Sequence, residues 1–199
     1  MNESIRSSVI NCSVFVEKLI AATLASLLGI DITTSKTLGN KSTSFSLNQK
    51  INLLMDLKMF DKNDAQKFQI FSEVRNQFAH NIEVDDFATC FNLLEGSFNY
   101  LKKTYSNQLP ESLDESVLGE TYYNILFKDV FHICHRLLAL AEHKVRLLGE
   151  AEAANELKDY VIQSLNDLAH KDETFTVQYV TILEAALERF VPATKSGDD

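Results

Sequence analysis

The segment VRNQFAH, residues 74–80, holds an arginine and a histidine five positions apart with an asparagine directly after the arginine. Arg75 offers a fixed positive charge and a forked set of donors that suits a phosphate. His80 titrates near neutrality and can move a proton to or from a ribose 2′-hydroxyl or a leaving oxygen. Cleavage of RNA through its own 2′-hydroxyl needs those two functions and no metal. An ordinary helix terminus accounts for part of the same pattern. A histidine in the last turn is favourable against the helix dipole, and asparagine is common near a helix end. That second reading leaves Arg75 unexplained, because no acidic residue stands three or four positions from it. From spacing alone both readings stay open.

The element that must position these residues is a helix opened by Asp61 or Asn63 and running to about residue 80 or 81. At about 100° per residue, Phe71, Val74 and Phe78 form one apolar stripe that must face a core, and Arg75 flanks it. Asn76 and His80 are four apart and stack on a common face roughly opposite the stripe. Arg75 and His80 are then about 140° apart, so a regular helix keeps them from converging. They could converge if the helix ends near Asn81 or if a second subunit packs over this end.

RNQFAH resembles the R-x4-6-H motif of the HEPN superfamily, including its preferred polar residue after the arginine. The longer stretch SFSLNQKINLLMDLKMFDKNDAQKFQIFSEVRNQFAHNIEVDD, residues 44–86, resembles the mannitol-operon repressor family, itself HEPN-like. The likeness covers roughly residues 10–105 and does not extend to the C-terminal half. Active HEPN ribonucleases use a paired site in which two such helices meet across a dimer. The resemblance therefore implies Arg75 as the holder of a scissile phosphate, His80 as the acid/base and Asn76 as the residue that orients one of them. The repressor relatives are regarded as regulators without a DNA-binding motif, and many HEPN domains are binding modules. The resemblance favours a non-enzymatic regulatory or interaction protein acting through protein partners. A metal-independent endoribonuclease, a toxin or defence effector, is the alternative.

Charge narrows the partners. The chain carries −9, and it is unevenly placed. Residues 1–110 hold 11 acidic and 11 basic side chains and sum to zero; residues 111–199 hold 17 and 8, which supplies the whole −9. Binding along a nucleic-acid backbone needs clustered Lys and Arg to displace counterions. Extended nucleic-acid binding is excluded, and RNA remains a ligand class only locally, at Arg75 and His80. The three cysteines, Cys12, Cys90 and Cys134, are odd in number and far apart. They form no disulfide framework and point to a reducing cytoplasm. The most apolar run, residues 19–30, is 12 residues long. That falls short of the roughly 20 that cross a bilayer, so a buried core helix is expected and no membrane.

The remaining clusters carry weaker chemistry. His132, Cys134, His135 and His143 share one helix, but a zinc site needs about four converging ligands, so no metal and no cofactor are expected. GNKST, residues 39–43, lacks the spacing of a phosphate-binding loop. LNDLAH, residues 165–170, echoes RNQFAH with Asn166 and His170 in place, but Leu165 replaces the arginine. Tyr122 and Tyr123 suit packing better than base stacking, and residues 149–160 read as a solvated acidic face.

Two prolines and six glycines among 199 residues suit long helices and leave little punctuation for a sheet. The expected fold is all-α: a bundle of six to eight helices with an HEPN-like N-terminal half and additional C-terminal helices. A first helix covers about 3–29, ending at Gly29. Ser46 and Gln49 have capping-box spacing for a brief second helix. Asp85 or Asp86 opens one through FATCFNLLEGSFNYLKKTY. The expected organisation is a helical domain over 1–105, a linker over 106–118, a packed C-terminal helical region over 119–191 and a disordered tail over 192–199. That C-terminal region should hold helices over about 119–148, 150–170 and 174–190. A homodimer with residues 74–81 near its two-fold axis satisfies the convergence requirement of the motif.

Overall fold

The computed structural model describes residues 3–39, 43–109, 114–147 and 158–163. Among them every regular element is helical: α1 (Glu3–Leu28), α2 (Leu47–Asp56), α3 (Lys62–His80), α4 (Phe87–Leu93), α5 (Glu95–Tyr105), a 3-10 turn (Ser106–Gln108) and α6 (Glu115–Leu147). A further helical stretch at 158–163 buries Val161. The fold is an all-α bundle. The helix expected over 174–190, the LNDLAH echo and the tail lie outside the described residues.

Local chemistry sets the helix ends. Gly29 leaves α1 at φ +63, the left-handed conformation that terminates helices and that a Cβ disfavours. The Ser46 hydroxyl accepts from Gln49 N while Gln49 Oε1 accepts from Ser46 N, a complete capping box. Asp61 Oδ1 accepts from the N–H groups of Asn63 and Asp64, and Asp86 Oδ1 accepts from Thr89 N.

Packing is organised by α1 and α6. α1 packs on α2, α3 and α6, and α6 also packs on α3, α4 and α5. By length and mean hydropathy, 1.5 over its most apolar window within Ile5–Leu28, α1 would qualify to cross a membrane. That window is longer than the 12-residue run read from sequence. It is 67% buried within the fold, with Val16, Ile20 and Leu24 fully enclosed, as befits a helix that is apolar nearly all round. Phe71, Val74 and Phe78 are all fully buried, as their spacing requires. An aromatic layer joins α3 to α4 and α6. Phe71 stacks on Tyr123 and Phe127 at 6.0 and 5.9 Å, and Phe78 meets Phe87 edge-on at 5.2 Å. Tyr122 and Tyr123 are thus core residues.

Three ion pairs pin the helices from outside this layer. Lys50 of α2 reaches Glu17 of α1 at 2.8 Å, Lys67 of α3 reaches Asp129 of α6 at 2.7 Å, and Arg136 of α6 pairs with Asp64 at the start of α3. Asp129 also accepts from the Tyr105 hydroxyl at 2.8 Å, which ties α5 to the same point. Burial, then the Asp129 carboxylate, push the Tyr105 phenol well above its ordinary range.

Two elements depart from the sequence reading. The single helix expected over residues 87–105 breaks at Leu94, whose φ −119 and ψ 45 are not helical. Seven residues of continuous helix rise about 10.5 Å. The Phe91 and Phe98 ring centroids stand only 4.7 Å apart, and the break is what lets both rings stack. The expected linker at 106–118 is interrupted as well. A 3-10 turn occupies its start, and α6 already begins at Glu115, four residues before the expected 119. Gly119 follows directly after these added residues. A Cβ there would stand 3.0 Å from Phe87 Cβ, so glycine permits the close approach of α6 to α4.

Candidate functional site

The last two turns of α3 carry the three residues singled out by spacing. The helix stays α-helical through His80, and Asn81 N still donates to Gln77 O at 3.0 Å. Arg75 and His80 therefore remain about 140° apart around the axis and do not converge within one chain. Arg75 is half-buried and donates from Nη1 to Asn76 Oδ1 at 3.0 Å. It makes no ion pair among the described residues. Asn76 and His80 are exposed on the side away from the Phe71–Val74–Phe78 stripe. His80 makes no hydrogen bond or ion pair among the described residues.

The end of this helix is held by a residue that spacing did not reveal. Arg6, in the first turns of α1, sends its guanidinium across the C-terminus of α3. Nη1 donates to Phe78 O, and Nη2 donates to Asn81 O at 3.1 Å and Val84 O at 2.8 Å. A cation placed there satisfies orphan carbonyls and opposes the negative end of the helix dipole. The dipole role open to His80 in the sequence is thus filled by Arg6, and His80 is left facing solvent. Arg6 Nε is buried without a partner among the described residues, the cost of fixing this geometry. The sequence signal for Arg6 was faint: a lone arginine in a helix otherwise largely apolar.

Arg75 faces the other way, into a groove of about 290 Å³ between α1, α2 and α3. The α3 wall carries Ser72, Arg75 and Asn76, and the α2 wall is its first turn, at Leu47 and Asn48. Ser13 and Glu17 of α1 complete it. Ser13 is satisfied by Val9 O at 2.9 Å. Glu17 is held by Lys50, whose side chain is 1% exposed. His80 does not line this groove.

The cysteine and histidines of α6 do not converge. Cys134 is buried while His132 and His143 are exposed, so these side chains do not share one point. Burial pushes the Cys134 thiol up, and burial followed by the nearby Asp86 pushes Cys90 up to about 12. His135 is shifted down, first by burial and then by His132. Among the described residues no three His, Cys, Asp or Glu side chains are placed to hold a metal ion.

Comparison of the chain with family models, with curated proteins and with solved structures finds no match.

Proposed function

We propose that this chain is a non-enzymatic regulatory or interaction protein that acts through protein partners, in the manner its resemblance to the mannitol-operon repressor family implies. The observation that supports this reading is the separation of Arg75 from His80 on an intact helix whose end is clamped by Arg6. One chain has a proton-transfer group on one face and a phosphate-suited cation on another, with no shared point between them. The end of α3 instead offers a surface. Asn76 and His80 are exposed, and Ile82, just past the helix, is 75% exposed. A large apolar side chain so placed beside polar groups suits a protein contact. The first partner is a second copy, giving a homodimer with residues 74–81 near the two-fold axis, since symmetric dimers are the commonest assembly.

A second reading is favoured by one observation: among the described residues Arg75 has no ion pair and His80 no hydrogen bond. In a dimer two copies of each would then be free to meet around one phosphate, as the HEPN resemblance implies for an endoribonuclease. Two measurements separate the readings. Sedimentation at micromolar concentration should show twice the 22.5 kDa chain mass. Purified protein incubated with RNA in EDTA should leave it intact. Cleavage that yields 2′,3′-cyclic phosphate ends, and is lost in both Arg75→Ala and His80→Ala, would overturn the regulatory reading. A strict monomer would remove the paired site and the proposed dimer together.

A further inference from the structure

The groove beside Arg75 gathers hydrogen-bond donors that have no partner among the described residues. The capping box satisfies the N–H groups of Ser46 and Gln49, which leaves those of Leu47 and Asn48 without a partner among the described residues. Both residues line the groove, and α2, at 10 residues, brings the positive end of its dipole there. Across from them, Ser72 is only 9% exposed, lines the same groove and makes no hydrogen bond among the described residues. Its hydroxyl opens onto the groove, where it is left to water or to a ligand. Serine in a helix commonly satisfies itself on the carbonyl four residues back. Ser13 and Thr23 do so on α1, at 2.9 and 2.8 Å, and Ser72 does not.

Charge agrees with the donors. Glu17 is the one acidic side chain lining the groove, and its carboxylate is already paired with the enclosed Lys50. Arg75 makes no ion pair among the described residues and directs one guanidinium N–H to Asn76. The groove thus presents a net positive site. It offers a forked cation and a hydroxyl from α3, and two backbone N–H groups from α2. Donors converging from two helices suit a tetrahedral oxyanion better than a planar carboxylate. At about 290 Å³ the space is several times larger than one water's share of about 30 Å³, so it takes more than a bare ion.

We propose that the α1–α2–α3 groove is a binding site for a small phosphate-bearing molecule, whose phosphate is held by Arg75, Ser72 and the first-turn N–H groups of α2. Glu17 and Asn48 stand at its edge for hydroxyl or amine groups on the rest of the molecule. The site lies within one chain and does not involve His80, although it shares Arg75 with the endoribonuclease reading. Occupation would tie the start of α2 to the middle of α3.

The test uses the full chain with inorganic phosphate as probe, against sodium chloride and sodium acetate at matched ionic strength. Phosphate should raise the melting temperature with the logarithm of its concentration, by roughly 5–10 °C at about a hundredfold its Kd. It should also move the ¹⁵N–¹H resonances of Leu47 and Asn48 along a saturable curve. Ser72→Ala should weaken binding by roughly tenfold or more, and Arg75→Met should abolish the saturable part. Three results would overturn the proposal: no response beyond that of chloride, an equal response to acetate, or the same melting shift in Arg75→Met, which would mark general salt stabilisation. Were Arg75→Met not to fold, unmoved Leu47 and Asn48 resonances in the wild-type protein would overturn it equally.

Discussion

Replacing Arg6 with methionine keeps most of the side-chain stem and removes the guanidinium that clamps α3. Three carbonyls, those of Phe78, Asn81 and Val84, lose their donor. Hydrogen bonds to a charged group contribute about 1.5–3 kcal/mol each, which would sum to about 4.5–9. Two terms reduce that sum. The buried, unpartnered Nε costs about 1–3 kcal/mol, and ordering a long side chain costs about 2. The site is only partly buried, so water also replaces some of what is lost. A net destabilisation of about 2–4 kcal/mol follows. For a chain of 199 residues that corresponds to a melting temperature lower by roughly 5–15 °C. The loss should be local as well as global. Amide hydrogen exchange should accelerate first in the last turn of α3 and at Asn81–Val84, because their anchor is gone while the Phe71 layer is intact. Denaturant unfolding with exchange mass spectrometry reads both quantities. A loss below about 1 kcal/mol, or exchange that quickens evenly along the chain, would refute the assignment of Arg6 as the clamp.

Phe78→Ala removes a fully buried ring packed on Phe87 and should cost about 3–5 kcal/mol by urea denaturation; a loss below about 1 would contradict its place in the core. His135 has a folded-state pKa below its ordinary value, so the unfolded chain binds the proton more readily. Its contribution to stability is present above the unfolded value of about 6.5 and is lost as pH falls below it. His135→Gln should therefore flatten the fall in melting temperature between about pH 6.5 and 5, and an unchanged slope would refute this. Cys90, buried with a thiol pushed up to about 12, should resist alkylation at pH 8 in the native protein and react in denaturant; rapid native labelling would place it at the surface.

The parts of this protein legible in its sequence are those decided within about one helical turn. Ser46 and Gln49, Asp61, Asp86 and Gly29 end or begin helices through bonds and dihedrals that involve neighbours no more than four residues away. The Phe71–Val74–Phe78 stripe is likewise a matter of helical period, and it placed Asn76 and His80 on the solvent side. The break at Leu94 was not legible, because FNLLEGSF has no proline and the stacking of Phe91 on Phe98 that the break allows is a matter of tertiary packing. The close approach of α6 to α4 rests on Gly119 meeting Phe87, a contact between residues 32 positions apart. What surrounds the motif was decided wholly by tertiary structure. Arg6 reaches carbonyls 72 to 78 residues away, and Lys50 neutralises Glu17 across 33. The groove of Ser72, Arg75 and the α2 N-terminus exists only where three helices meet. Spacing along one helix fixes angles around its own axis; which donors are left unsatisfied depends on what the other helices bring against it.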